Sequence, residues 1–155
     1  MGPLRLPTSG PIYLDANGFI YSIERIEPYR TILEPMWAQA QAGQFEIVTS
    51  ELSILETLIK PFKEGDVLLE HLFRELLHSR EVRLMQATAA IWEHAARLRA
   101  ATGLKTPDAL HAATALAASS TLCITNDTDF RHVPDLPVVV LDDLVRTEEA
   151  QEESP

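Results

Sequence analysis

Four acidic positions stand where predicted strands end or within the helices predicted to follow them. Asp15 closes the apolar run PIYLD, and Asp127 follows the run TLCIT, with Asp129 two residues further on. Glu56 lies within a helical pattern, and Asp108 lies in the first turn of another. Carboxylate oxygens are hard ligands that suit Mg²⁺ or Mn²⁺, with water and substrate phosphate completing the shell. The acids therefore predict metal-dependent hydrolysis of a phosphodiester, in which the ion activates a water and stabilises the leaving oxygen.

Taken one at a time, these acids have simpler structural explanations. Asp15 could end a strand or cap a helix, and Glu56 could form a capping box with Ser53 or lie exposed on its helix. Asp108 could complement a helix dipole, and the acids of TNDTDF suit a turn. Acids that follow separate strands of one parallel sheet nevertheless converge at one crevice, where their repulsion raises their pKa values unless cations neutralise it. Their joint placement therefore favours a metal site.

The elements that must position these acids alternate between apolar strands and helical patterns. Strands without polar alternation are typical of a sheet covered on both faces, and ligands bind beyond the carboxyl ends of such strands. This predicts an α/β fold, a three-layer α/β/α domain with a mostly parallel central sheet. The predicted strands are 11–15, 45–50, 82–85, 121–127 and 136–143, and the predicted helices are 17–23, 30–42, 50–60, 65–79, 88–102 and 106–119.

Two of these helices carry more detailed predictions. In the helix after the second strand, Leu52, Leu55 and Ile59 form the predicted apolar stripe, and Glu56 borders it. An acid beside such a stripe costs desolvation energy unless a cation meets it. Further along the chain, Thr106 is the predicted N-cap of its helix.

Length and charge bound the class of protein. A chain of 155 residues with 46% apolar content is long enough for one core and one domain. Its net charge of −10 argues against a simple electrostatic clamp for nucleic acid, but half of that charge lies in 142–155, where six acids accompany Arg146. We expect a leader at 1–11, one domain at 12–145 and a solvated acidic tail at 146–155.

Cysteine usage and hydropathy indicate a soluble protein. The single cysteine, Cys123, excludes an intrachain disulfide and is predicted to be a buried structural thiol. No apolar stretch approaches the roughly 18 residues of a membrane span. The leader is too rich in Pro and Gly for a signal peptide. We therefore expect a cytoplasmic protein without membrane association.

Four segments of the chain resemble the PIN-domain nucleases, and especially the VapC-type toxins of toxin–antitoxin pairs. They are YLDANGFIY, SELSILETL, KTPDALHAATA and ITNDTDF, which occur in the family's order and extend the resemblance over about 12–144. The resemblance implies an α/β/α fold whose acidic cluster binds Mg²⁺ or Mn²⁺ and cleaves RNA. It also implies a homodimer and inhibition by a cognate antitoxin.

The resemblance further implies roles for individual residues. The acids that match the family's catalytic and metal-binding positions are Asp15, Glu56, Asp108 and Asp127. For the fourth of these positions Asp129 is the alternative. Asn17 and Thr125 match polar residues that support the site by orienting a carboxylate or a bound water. Ala16 departs from the pattern, since a hydroxyl residue is frequent there.

Basic residues near two of the acids could hold RNA phosphate. They are Lys60, Lys63, Arg97, Arg99 and Lys105. For each of them, a solvated helix face is the simpler explanation. Because the surface outside the tail and the acidic cluster is nearly neutral, we expect substrate choice to rest on RNA shape and single-stranded loops.

The remaining polar and aromatic residues are explained by packing. His111 lies one helical turn after an acid, but a packing or hydrogen-bonding histidine is the simpler explanation. Trp37 and Trp92 lie in amphipathic patterns and are expected to be core or interface anchors. The apolar helices around 32–37 and 67–77 could pair with a second subunit or a partner peptide.

The leading interpretation is a Mg²⁺- or Mn²⁺-dependent endoribonuclease that acts as the toxin of a toxin–antitoxin pair. Two alternatives stay open: a non-catalytic PIN-like module that binds RNA or protein, and an orphan RNA-processing nuclease. An aspartyl-phosphate phosphatase built on Asp15 is disfavoured, because that chemistry needs a second acid two residues on, where Asn17 stands.

Overall fold

A computed structural model describes residues 4–153, in which strands and helices alternate as predicted. The strands are β1 (Ile12–Leu14), β2 (Ile47–Ser50), β3 (Val82–Met85), β4 (Leu122–Thr125) and β5 (Val138–Val140). The helices are α1 (Ala16–Ile23), α2 (Tyr29–Gln41), α3 (Leu52–Glu64), α4 (Val67–Leu77), α5 (Ala89–Thr102), α6 (Thr106–Ala117) and α7 (Leu141–Glu152), and a 3-10 helix covers Thr128–His132. The first three residues of the predicted leader and the last two of the predicted tail lie outside the described residues.

Within residues 4–153 the strands form one five-stranded sheet in the order β3-β2-β1-β4-β5, and every pair is parallel. β1 is the central strand, so Tyr13 pairs with Val48 of β2 on one side and with Cys123 of β4 on the other. The strand order reverses between β1 and β4, and ligands of open parallel sheets bind at the carboxyl ends beside such a reversal. The predicted α/β fold is confirmed.

Alternate residues of β1 enter different cores. Ile12 and Leu14 pack with Phe19 of α1, in a cluster that also contains residues of α2 and α4. Tyr13 packs on the opposite face with Ala109 of α6 and with residues of α5. Helices therefore cover both faces of the sheet, which explains why its strands are apolar without alternation.

The contact between β1 and α1 is unusually close. A Cβ atom on Gly18 would lie 2.2 Å from Cδ1 of Leu14, so only glycine permits α1 to approach the strand this far. Glycine lowers helix propensity, and this close packing is the structural reason to have it inside α1. Asp15 lies in the turn between the two residues and is held deep in the fold by this contact.

The buried face of α3 differs from the predicted one. Ser53 and Thr57 are buried, whereas Leu55 and Ile59 are 57% and 54% exposed. Of the predicted stripe, Leu52 packs against the core. The prediction was wrong because periodicity identifies an apolar face without showing what covers it.

The uncovered side chains of α3 continue onto α4. We define the apolar surface as Leu55, Ile59 and Phe62 of α3 together with Val67 and Leu68 of α4. Their exposed fractions run from 54% to 76%. Contiguous exposed apolar side chains of this kind are typical of interaction sites.

The apolar part of α2 behaves differently from the prediction of a pairing surface. Ile32 and Leu33 are buried within the protein's own core, so that prediction was wrong for 32–37. Trp37 donates from its indole N–H to the Ser22 hydroxyl at 2.8 Å, which confirms it as a packing anchor. Trp92 is 48% exposed and is not part of the core.

The expected solvated tail is helical, and one local prediction in α6 needs correction. Residues 146–152 of that tail continue α7, and its described side chains at 146, 147 and 149–153 are exposed as expected. Thr106 is the first helical residue of α6, and Lys105 takes the N-cap position instead.

Cys123 is buried, as predicted. None of the helices in residues 4–153 combines the length and the apolar character needed to cross a bilayer.

Candidate active site

A small pocket of about 50 Å³ lies at the carboxyl edge of the sheet, where the chain leaves β1 and β4. It brings together all four predicted acids and adds one histidine. The lining residues are Asp15, Ala16, Asn17, Glu56, Asp108, His111 and Asp127. Side chains from two strand ends and three helices thus meet at one place, as expected for a parallel sheet.

Asp15 is the most deeply buried acid of the pocket, with 6% of its surface exposed. It occupies the N-cap position of α1 without making a side-chain capping hydrogen bond there, so a simple cap does not explain it. Its Oδ2 accepts a hydrogen bond of 2.6 Å from the Thr125 hydroxyl, while Oδ1 is buried without a hydrogen-bond partner among residues 4–153. Burial raises the pKa of Asp15, against the opposing effects of His111 and of the Thr125 hydroxyl.

Thr125 connects two of the acids. While its hydroxyl donates to Asp15, the same oxygen accepts from the backbone N–H of Asp127 at 3.1 Å. Asp127 in turn caps the 3-10 helix, because its Oδ1 accepts from the backbone N–H of Asp129 at 2.8 Å. The side chain of Asp129 is exposed and does not line the pocket, so the geometry favours Asp127 as the fourth acid.

The raised pKa of Asp108 is the clearest sign that acidic groups are crowded and partly buried in this pocket. Asp108 lies in the first turn of α6 and is half-buried. Burial, followed by the neighbouring carboxylates of Asp127 and Asp15, raises the pKa of Asp108 to about 6 against the opposing effect of His111. A nearby cation would relieve both the desolvation and the repulsion.

Glu56 reaches the pocket from α3. Its Oε1 lies 2.6 Å from Nε2 of His111 on α6. The alternative of a capping box is excluded, because Ser53 lies inside α3 and its hydroxyl is 2.7 Å from that of Thr49. Sequence reasoning explained His111 by packing and hydrogen bonding, and it does form hydrogen bonds, but one of them is to a site acid. Its position one turn after Asp108 was the available signal.

The donor atoms of this pocket fit a hard divalent cation. They are carboxylate oxygens, one of which is buried and unpaired, and the pKa values of Asp15 and Asp108 are both raised. In the described part of the chain, no three Asp, Glu, His or Cys side chains are placed so that they could hold a metal ion together. Mg²⁺ usually binds through only one or two carboxylates and keeps positions for water and substrate phosphate, so the pocket fits it on the chemistry of its donors.

Asn17 and two of the basic candidates, Lys63 and Lys105, have exposed side chains. Asn17 is exposed at the start of α1 and lines the pocket. Lys105 is exposed at the N-cap of α6, three residues before Asp108. Lys63 is also exposed, in the last turn of α3. Neither lysine forms an ion pair with another described residue, so both are open to an anion.

The other basic candidates have protein partners. Lys60 pairs with Glu24, and Arg97 pairs with Glu93 one turn away on α5. Arg99 donates to the backbone carbonyl of Leu104 and to the hydroxyl at the start of α6, so it closes the turn between α5 and α6. Their structural contacts explain them without a phosphate.

A family profile described as the PIN domain matches residues 12–136. A comparison with curated protein sequences finds no significant match. The match covers every acid of the pocket and the strands β1 to β4, and it ends just before β5.

Solved structures show the same fold at low sequence identity. VapBC2 from Rickettsia felis, solved with a DNA fragment from its promoter, is 20% identical with a TM-score of 0.66, covering 83% of this chain and 98% of that one. A toxin–antitoxin complex from Klebsiella pneumoniae is 24% identical with a TM-score of 0.61, covering 83% and 96%. VapC20 from Mycobacterium tuberculosis, described as a Sarcin-Ricin loop cleaving toxin, is 17% identical with a TM-score of 0.64, covering 77% and 92%.

Proposed function

Because the chain belongs to the PIN-domain family, we propose that it is a Mg²⁺- or Mn²⁺-dependent endoribonuclease that acts as the toxin of a toxin–antitoxin pair. The observation that carries the proposal is the buried and unpaired Oδ1 of Asp15 in a pocket that it shares with Glu56, Asp108 and Asp127. A buried ionised oxygen without a donor is costly unless a cation meets it. The pocket is therefore assigned to a metal ion and to the phosphate that the ion would engage.

In this proposal the carboxylates of Asp15, Glu56, Asp108 and Asp127 would hold the ion. The bound ion supplies positive charge for the scissile phosphate, an attacking water of lowered pKa and stabilisation of the leaving oxygen. Thr125 keeps the Asp15 carboxylate in a single orientation through its 2.6 Å hydrogen bond. Preorganised ligands of this kind need little rearrangement when substrate arrives.

The substrate assignment follows from family membership and from the neighbouring structures. One of them is described as a toxin that cleaves the Sarcin-Ricin loop, which is RNA. Asn17, which is exposed and lines the pocket, and Lys105, which is exposed three residues before Asp108, suit a sugar–phosphate backbone, since phosphate contacts commonly come from amide and ammonium groups. The modest number of unpaired cations suggests a substrate recognised by shape rather than by charge.

The partner assignment rests on the apolar surface of α3 and α4. Several neighbouring structures are complexes of a toxin with an antitoxin. An antitoxin that presents an apolar segment would cover Leu55, Ile59 and Phe62 and remove them from water. The homodimer and the cytoplasmic location expected from the sequence stay predictions alongside this one.

RNA cleavage by the purified, partner-free protein tests the proposal. A structured RNA with single-stranded loops should be cleaved with Mn²⁺ or Mg²⁺ and left intact with EDTA. Asp15→Asn and Asp108→Asn should abolish cleavage, whereas Asp129→Asn, an identical change on an exposed acid, should retain it. The proposal fails if neither ion supports cleavage, or if Asp15→Asn and Asp108→Asn leave cleavage unchanged.

The two open alternatives give different results in the same experiment. A non-catalytic module would bind RNA or protein without cleaving and would gain almost no thermal stability from Mn²⁺. An orphan RNA-processing nuclease would cleave, but no short neighbouring reading frame would encode an inhibitor of it. Activity and the neighbouring frame together therefore separate all three.

A further inference from the structure

Two buried aromatic side chains stand between the sheet and Glu56. Tyr13 of β1 is fully buried and His111 of α6 is 2% exposed. The Tyr13 hydroxyl lies 2.5 Å from Nδ1 of His111, and Nε2 of the same ring lies 2.6 Å from Oε1 of Glu56. The backbone N–H of Ser50 donates to the Tyr13 oxygen at 3.1 Å. These contacts form a continuous chain of hydrogen bonds from β2 to the pocket.

The donor and acceptor capacities of these groups fix the direction of each hydrogen bond in the series. The Ser50 N–H donates only, so the Tyr13 oxygen accepts there, and an ionised Glu56 accepts only, so Nε2 of His111 carries a hydrogen. A neutral imidazole protonated at Nε2 has Nδ1 free to accept, and it takes the remaining proton of the Tyr13 hydroxyl. Burial raises the pKa of Tyr13, so the hydroxyl keeps that proton.

The hydrogen bond from His111 fixes the side chain of Glu56, which its own helix supports only weakly. This side chain is 32% exposed and projects from a helix whose outer face is uncovered. A glutamate in such a place loses side-chain conformational entropy when it is fixed in one rotamer. His111 is fixed by burial and by Tyr13, and it lies on the same helix as Asp108, so α6 supplies one acid directly and orients a second.

We propose that His111 is a positioning residue, with Tyr13 behind it, that holds Glu56 at the candidate metal site by donating a hydrogen bond from Nε2. This inference rests on the proposed function, because Glu56 needs a fixed orientation if it serves as a metal ligand. Groups that orient metal ligands typically change metal affinity about 10- to 100-fold when they are removed.

The tautomer of His111 is the first test. Nitrogen NMR of the imidazole should show a hydrogen on Nε2, which is the nitrogen that faces Glu56. Tyr13→Phe should weaken that preference, since it removes the hydroxyl that fills Nδ1. A ring whose hydrogen lies on Nδ1 alone in the wild-type protein would overturn the assignment.

Metal affinity in the absence of RNA is the second test. His111→Leu should weaken Mn²⁺ binding measured by calorimetry by roughly 10- to 100-fold, and His111→Gln, which keeps a donor toward Glu56, should restore most of it. Thr114→Val is the matched control, because Thr114 is equally buried on α6 and its hydroxyl bonds only to the backbone carbonyl of Leu110 among the described contacts. It should leave Mn²⁺ affinity unchanged.

A double-mutant cycle separates positioning from general packing. In a Glu56→Gln background, His111→Leu should have little further effect on Mn²⁺ affinity if His111 acts through Glu56. Additive losses, or a loss of thermal stability without a change in affinity, would contradict the positioning role alone. Absence of Mn²⁺ binding in the wild type would instead overturn the proposed metal-dependent function and this inference with it, so the two failures are distinguishable.

Discussion

The hydroxyl of Thr125 donates to one oxygen of Asp15 across 2.6 Å, and no other hydrogen bond to that carboxylate is found among residues 4–153. The pair joins the ends of the two strands at the reversal of strand order. Because the second oxygen, Oδ1, is buried and unpaired, the carboxylate is half satisfied by the protein. A cation would provide the missing interaction with Oδ1, and several expected results depend on this relationship.

Mn²⁺ should stabilise the protein in proportion to its binding. At a free concentration of about 100 Kd, linkage gives roughly 2.7 kcal/mol, which corresponds to a rise in Tm of about 5–10 °C for a domain of this size. Asp15→Asn removes the charge that meets the ion and should abolish most of this rise, whereas Asp129→Asn should retain it. Differential scanning fluorimetry with and without Mn²⁺ measures both. An equal rise in Asp15→Asn would place the ion elsewhere.

Thr125→Val should destabilise the metal-free protein. It keeps the shape of the side chain but removes the only described donor to Asp15, which should cost about 1–3 kcal/mol in the free energy of unfolding. Thr125→Ser keeps the hydroxyl and should cost much less. Urea unfolding at neutral pH compares the two variants. If the two variants proved equally unstable, the hydrogen bond would not explain the loss, because Thr125→Ser keeps it.

The stability of the metal-free protein should fall as the pH rises from about 4 to about 7. The pKa of Asp108 is raised from 3.8 to about 6, so the folded state holds this proton more tightly than the unfolded state does. The stabilisation that this proton gives the folded state is therefore greatest at low pH and is lost as the pH rises through about 6. Asp108→Asn should unfold at a higher temperature than wild type at about pH 7.5 and lose that advantage near pH 4. Thermal melts across this range in EDTA test the sign.

Lys105 should contribute to RNA affinity more than Arg97 does. Lys105 is exposed at the N-cap of the helix that carries Asp108, whereas Arg97 pairs with Glu93 on α5. Lys105→Gln should weaken binding of an uncleavable RNA and reduce the slope of log affinity against log salt by about 0.7, the value for one phosphate contact in a single strand. Arg97→Gln removes the same charge and should change neither. Equal effects would indicate nonspecific attraction.

The apolar surface should be required for binding a protein partner. Co-expression with the product of a short neighbouring reading frame should yield a complex that survives purification. Phe62→Asp places a charge in the middle of this surface and should abolish the complex while leaving the Tm nearly unchanged, because Phe62 is 56% exposed. Trp92→Asp, a matched change outside the surface, should preserve the complex. Loss of the complex in both variants would argue against a specific site.

The convergence of the acids could be predicted because it follows from topology. In a parallel sheet the carboxyl ends of all strands lie on one edge, so Asp15 after β1 and Asp127 after β4 had to be neighbours once the strands were identified. Asp108 followed from the start of its helix. No knowledge of side-chain packing was needed for these placements.

The contacts behind the acids could not be predicted in the same way. Tyr13 and His111 are 98 residues apart, and their hydrogen bond leaves no periodic signal in the chain. The uncovered face of α3 was missed because apolar periodicity looks the same whether a core or a partner covers it. Residues of α7 were assigned to a solvated tail on acidic composition alone, although Glu, Ala, Gln, Arg and Leu are good helix formers.

The 110 residues that separate Asp15 from Thr125 have a consequence for the synthesis of the protein. During translation the first acid emerges early, but its strand remains without its β4 neighbour, and its carboxylate without a donor, until most of the chain has been made. Truncated or stalled chains that end before Thr125 lack both the donor and Asp127. The pocket can therefore be completed only after synthesis has passed Asp127.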